Sequence, residues 1–219
     1  MGSQNYLNMA FEKLGHIMLD DMRMKASDIY KLAVKGQKKQ DYNPPVYNEN
    51  KINIRSVFEK GGMCFYVTPK NASVKEYFMF LHGGGFVSQM SRNEWRFVLD
   101  TVESTGYGAV VPVYPIAPDH SAAEAVDMLA GAYEKLCEKE DANRIVLIGD
   151  SSGACLALSV AIQLWKTGIR RPDKLILCSP VLDTEFEDRE LEQEMGDRRK
   201  FVYGYYYTPE IRSFLRQYW

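Results

Sequence analysis

Two short stretches of this 219-residue chain carry residue types suited to chemistry. The first is "GDSSG", residues 149–153, set between the apolar run "RIVLI" and a helical pattern, "ACLALSVAIQLW". A serine on a sharp strand-to-helix bend presents its hydroxyl as a nucleophile. Its flanking glycines answer a steric need, because a side chain there would meet the neighbouring strand and helix. An ordinary capped turn is the competing reading of five residues, and the strand before and helix after Ser151 favour the nucleophile. The second stretch is "LHGGGF", residues 81–86. Three successive glycines let N–H groups converge on one point, where they can stabilise the negative oxygen formed when a carbonyl is attacked, by about 3 kcal/mol per donor. Gly83, Gly84 and Gly85 are the candidates, with the N–H of Ser152 as a further donor. A phosphate cradle is disfavoured, since the Lys-Ser/Thr of a P-loop does not follow the glycines.

A nucleophilic serine needs a proton acceptor. The three histidines, His16, His82 and His120, all precede Ser151. His82 leads the glycine loop, where an imidazole is expected to bond backbone and hold the loop in shape. Asp150 is expected to be structural beside the site.

The elements that must position these groups follow from hydrophobic patterning. "INIRSVF" and "MCFYV", separated by "EKGG", read as a β-hairpin. From Tyr77 onward, apolar runs ("YFMFL", "GAVVPVY", "RIVLIG", "KLILCSP") alternate with helix-length segments. One of these, 121–136, carries Ala122, Ala125, Leu129, Ala132 and Leu136 on one face. This predicts an α/β fold: a mostly parallel sheet covered by helices on both faces and entered through an antiparallel hairpin. Ligands of such sheets bind beyond the carboxyl ends of the strands, where both glycine motifs fall. Residues 1–45 read as amino-terminal helices ending at "DYNPPVYNENK", and 46–219 as the core. The acidic stretch "EFEDRELEQE" reads as a solvated helix.

Composition narrows the class. The chain is 46% hydrophobic and 26% charged with a net charge of −2, so no basic surplus points to nucleic acid. No apolar run reaches the roughly 18 residues of a membrane span. The amino terminus lacks a signal-peptide pattern. Cys64, Cys137, Cys155 and Cys178 form no CxxC and read as reduced core residues of a cytoplasmic protein. No metal and no cofactor is assigned.

In order and spacing, "HGGGF", "VVPVYPIAPDHSAAEAVDMLAGAY", "GDSSGA" and "LILCSPVLD" resemble the hormone-sensitive-lipase-like carboxylesterases of the α/β-hydrolase fold. The resemblance spans roughly residues 45–219. It implies a serine carboxylesterase of short acyl esters, with Ser151 as nucleophile and Gly83, Gly84, Gly85 and Ser152 around an oxyanion hole. It further implies that the amino-terminal helices form part of a cap and that His120, in "APDH", is structural. The sequence departs from the family at Ser152-Gly153-Ala154, where Ala-Gly-Gly is usual, and at Pro115, where an Arg is usual.

In this fold the chain order is Ser, acid, His. No histidine follows Ser151, and Asp183 is at most a displaced acid. The expectation is therefore a carboxyl-terminally shortened hydrolase whose last strands, acid and base are missing. Its apolar strand at 174–180 would leave an open edge suited to self-association. The aromatic-rich stretch from Phe201 to Trp219 is expected to pack against something. A non-catalytic member that binds a ligand or partner, and a split enzyme completed by a second chain, stay open as alternatives.

Overall fold

A computed structural model describes residue 31, residues 34–38 and residues 40–180, and all structural statements below concern these residues. They fall within one compact unit, Lys35–Leu182, save for residues 31 and 34. The helices expected before residue 31, the acidic stretch, Asp183 and the aromatic carboxyl terminus lie outside the described residues.

The chain enters the sheet through β1 (Ile52–Glu59) and β2 (Gly62–Pro69), an antiparallel pair in which Glu59 faces Gly62. The two-residue turn between them, Lys60 and Gly61, has positive φ at both positions (48° and 85°). That is the hairpin geometry whose twist matches the flanking strands. Four strands follow: β3 (Glu76–Leu81), β4 (Gly108–Val113), β5 (Arg144–Asp150) and β6 (Lys174–Cys178). The order across the sheet is β1-β2-β4-β3-β5-β6, with β2 antiparallel to β4 and the last four strands mutually parallel. This is the mixed sheet expected from the sequence.

Three helices link the parallel strands: α1 (Arg92–Thr105), α2 (Ala122–Lys139) and α3 (Ser152–Thr167). α1 and α2 each begin with a capping box, Ser91 with Glu94 and Ser121 with Glu124, which satisfies amide donors that the first turn leaves unpaired. Gly106 and Gly168 end α1 and α3 in the left-handed conformation. α1 buries Trp95, Val98 and Val102 against Phe65, Val67, Phe78, Phe80, Ala109 and Val111. Trp95 and Phe65 meet edge to face at 5.4 Å. The alternate strand residues, Tyr66, Tyr77, Met79 and Val110, are as deeply buried, which follows from strand side chains alternating between faces. α2 and α3 pack together there, with Leu129, Leu136, Leu156, Val160 and Leu164 fully or almost fully buried.

The connections decide where a ligand can sit. β3 leads through α1 to β4 on one side, whereas β5 leads through α3 to β6 on the other. The carboxyl ends of β3 and β5 are adjacent, with Leu81 opposite Gly149, and their loops depart in opposite directions. Such a reversal opens a crevice beyond the strand ends. "HGGG" leaves from one lip and "DSSG" from the other.

One expectation needs amendment. Cys64 is buried, but Cys137 and Cys155 are only partly covered and Cys178 is exposed, so the four thiols are not all core residues. Cys178 ends β6, which among the described residues pairs with β5 alone and exposes alternate side chains.

Candidate active site

Ser151 stands at φ 52°, ψ −118°, a conformation that costs a non-glycine residue about 1–3 kcal/mol. It occupies the N-cap of α3 but makes no side-chain capping bond. The same chain shows what an ordinary capping serine does. Ser91 and Ser121 are extended, at φ −87° and −92°, and each accepts a hydrogen bond from the amide three residues on. Ser151 is thus held in a strained bend without doing a capping serine's work, and its residue is only partly buried. Its own N–H donates to the carbonyl of Cys178 at 2.8 Å, tying the bend to β6.

The glycines around it are required by contact. A Cβ on Gly149 would lie 2.3 Å from the Gly153 oxygen and 2.4 Å from the Ala154 Cα. One on Gly153 would lie 2.2 Å from both the Leu81 and His82 oxygens. One on Gly83 would be 3.3 Å from the Asp150 carbonyl oxygen and 3.4 Å from the Ser151 Cβ. The glycine loop and the bend are therefore neighbours, with room for about one carbon between Gly83 and Ser151.

Gly84, Gly85 and Phe86 all have positive φ (117°, 60° and 66°). A Cβ on Gly84 would strike the Ser88 oxygen at 2.7 Å, while nothing lies within 4 Å of one on Gly85. Both glycines are exposed, and among the described residues neither N–H donates to a backbone carbonyl. Phe86 is buried and anchors the loop, its carbonyl accepting from the Ala117 N–H at 2.9 Å.

His82 is fully buried. Its Nδ1 lies 2.7 Å from the Gly83 carbonyl and its Nε2 3.1 Å from Gln89 Oε1. Its ring stacks on Tyr114 at 4.1 Å, and the Tyr114 hydroxyl donates to the His82 carbonyl at 2.6 Å. Burial pushes its pKa down, outweighing the Gly83 carbonyl, Glu94 and Gln89, which favour the charged ring. Both ring nitrogens are thus occupied within the loop. His120 sits at the surface, 3.7 Å from Glu124. His16 lies outside the described residues. Asp150 has its pKa raised, first by burial and then by the nearby Glu94. Ser152 is fully buried at the start of α3, and its hydroxyl has no hydrogen-bond partner among the described residues.

Several residues that support this arrangement were not singled out from the sequence. Glu94 accepts the Gly83 N–H at 2.6 Å. Gln89 donates its side-chain amide to the Tyr114 carbonyl at 2.9 Å and its backbone N–H to Gln40 Oε1 at 2.8 Å. Gln37 donates to the carbonyls of Val87 and Ala117 at 3.1 and 2.6 Å, joining the loops on either side. Ser91-x-x-Glu94 is a legible capping signature. Gln37 and Gln40 act across 49 to 80 residues and leave no local pattern.

A strained serine bend thus lies beside an open glycine loop at the switch point of a mostly parallel sheet. The family model for the alpha/beta hydrolase fold matches residues 78–219, and the chain belongs to that family. It is similar to an esterase of Acinetobacter venetianus, 32% identical over 113 residues, which are 51% of this chain and 37% of that protein. It is also similar to the hormone-sensitive lipase of Homo sapiens, 31% identical over 117 residues, 51% of this chain and 11% of that one. The match thus spans well under two-thirds of either relative. Among solved structures, a thermostable esterase from Pseudomonas putida superposes with a TM-score of 0.65 at 23% identity, covering 90% of this chain and 61% of that one, which shows the shared fold. No described helix is long and apolar enough to cross a membrane.

Two outcomes follow. Gly153→Ala drives a methyl into two backbone carbonyls and should cost about 3 kcal/mol or more in urea unfolding, whereas Gly85→Ala, with open space at φ 60°, should cost about 1 kcal/mol. Asp150 has a folded-state pKa above its unfolded one, so its contribution is greatest when protonated and is lost as pH rises through the folded value. Asp150→Asn should therefore gain stability relative to the parent as pH rises from about 4 to 7, and lose that advantage at the acid end, read from thermal midpoints.

Proposed function

We propose that this chain carries the nucleophile and oxyanion hole of a carboxylic ester hydrolase acting on small-molecule esters with short acyl groups. The observation that supports this most is the nearness of Gly83 to a Ser151 that is strained and makes no cap. In this reading the Ser151 oxygen attacks the acyl carbonyl carbon, and the carbonyl electron pair moves onto oxygen. The N–H groups of Gly84, Gly85 and Ser152 receive that oxyanion. The Gly83 N–H lines the hole without serving it, since Glu94 already holds it. Collapse expels the leaving alkoxide, which takes from water the proton that the Ser151 hydroxyl gave up to water during attack. It leaves an acyl group on Ser151 that a second water removes as the carboxylic acid, restoring the hydroxyl. His82 and Asp150 shape the site and take no proton.

No histidine follows Ser151 in the sequence, so no general base is assigned among these residues. An oxyanion hole and binding alone still leave on the order of 10³- to 10⁴-fold over water, well short of a complete triad. A second reading is a member of the fold that binds a ligand or partner beside the exposed Gly84 and Gly85 without turnover. Self-association through the stretch 174–180, whose strand β6 pairs among the described residues with β5 alone, belongs to the proposal.

Incubation with p-nitrophenyl acetate, followed by mass spectrometry of the digested chain, tests the assignment. Acetyl should appear on the peptide containing Ser151, faster than a palmitoyl ester delivers its group, and not in Ser151→Ala. An unmodified Ser151, or labelling that survives Ser151→Ala, would leave the binding reading in its place.

A further inference from the structure

We propose that Glu94 is a positioning residue for the oxyanion hole, setting the direction of the Gly84 N–H through Gly83; this rests on the acylation of Ser151 proposed above. One of its carboxylate oxygens, Oε2, accepts from the Ser91 N–H at 2.7 Å and the Ser91 hydroxyl at 2.6 Å, completing the cap of α1. The other, Oε1, accepts the Gly83 N–H at 2.6 Å. Capping needs only the first.

The second bond matters because of what Gly83 is. Lacking a Cβ, it rotates freely about its two backbone dihedrals. The peptide plane before it carries its N–H, and the plane after it carries both its own carbonyl and the N–H of Gly84. The first plane is held at both edges, by Glu94 on the Gly83 N–H and by the Tyr114 hydroxyl on the His82 carbonyl, and His82 Nδ1 holds the second by the Gly83 carbonyl. With both planes fixed, Gly83 has no dihedral left to vary, and the Gly84 N–H points away from the held carbonyl in one direction. Releasing Glu94 leaves the first plane held at its carbonyl edge alone, so that it can tilt about the Tyr114 bond, and the loop relaxes without unfolding. A carboxylate suits the task because it accepts at both oxygens and offers no donor, and a charged acceptor shortens the bond. α1, seated on the sheet through Trp95, Val98 and Val102, is then the rigid post that holds the loop.

Capping and positioning separate by mutation. Ser91→Ala weakens the cap and keeps the Gly83 bond, whereas Glu94→Ala removes both. Glu94→Ala should slow acetylation of Ser151 by p-nitrophenyl acetate about 10- to 100-fold with KM unchanged, as for a donor misaligned in the transition state alone. Ser91→Ala should lower the thermal midpoint and keep the parent's rate. In a spectrum of the full chain labelled with ¹⁵N-glycine, Glu94→Ala should displace the Gly83 and Gly84 amide signals and Ser91→Ala should leave them in place. If Glu94→Ala does not fold, Glu94→Gln replaces it, and its Gly83 amide proton should move upfield because the charged acceptor is gone. The proposal is overturned if the Glu94 variant acylates at the parent's rate, or if Ser91→Ala is equally slow. Should the parent itself not acylate, the function proposed above fails, and the glycine spectrum alone decides whether Glu94 sets the loop, unmoved signals refuting it.

Discussion

At the carboxyl ends of β3 and β5, backbone lies directly against backbone, with no space for one more carbon at Gly149 or Gly153. Everything proposed for this site depends on that contact. It brings the Leu81 and His82 carbonyls against the first turn of α3, and so sets the glycine loop beside Ser151. It exists because adjacent parallel strands, Leu81 opposite Gly149, send their loops to opposite faces of the sheet. The crevice is a product of strand order, and the glycines let its walls close.

The contact also accounts for how a strained bend persists. Ser151 gives up about 1–3 kcal/mol by standing at φ 52°. The following helix buries Leu156, Val160 and Leu164 completely or nearly so, and each such side chain contributes about 1.5–3 kcal/mol. Displacing α3 to relax one serine would forfeit more than it recovers. On the other lip the loop is held by polar bonds: His82 on Gly83, Tyr114 on His82, Gln89 between them, and Glu94 from α1. One wall is fixed by packing and the other by a buried hydrogen-bond network, and exposed amides at Gly84 and Gly85 lie along the second.

What the sequence made legible follows the same division. The hairpin, the apolar strands and the helix from Ala122 rest on periodicity, and the structure places them within a few residues of expectation. The two glycine motifs were readable because close contact at Gly84, Gly149 and Gly153 and left-handed backbone at Gly84 and Gly85 both favour glycine. The support of the loop was not. Glu94 announces itself as a capping residue, and nothing local says that its second oxygen reaches Gly83 across 11 residues. Gln37 and Gln40 bond loops far away in sequence, with no period to betray them. Cys178 resembled a core residue because its strand is apolar, and its exposure goes with a strand that, among the described residues, has a neighbour on one side only. The roles of Ser151 and the oxyanion donors stay with the proposal, and His16, Asp183 and the residues after 180 lie outside the described residues.

The most direct measurement is a crystal structure of the chain after reaction with a p-nitrophenyl alkylphosphonate, whose tetrahedral phosphorus mimics the attacked carbonyl. The account requires phosphorus on the Ser151 oxygen and one phosphoryl oxygen about 2.7–3.1 Å from the amides of Gly84, Gly85 and Ser152. A phosphoryl oxygen turned to solvent away from the glycine loop, or phosphorus carried by another residue, would contradict it.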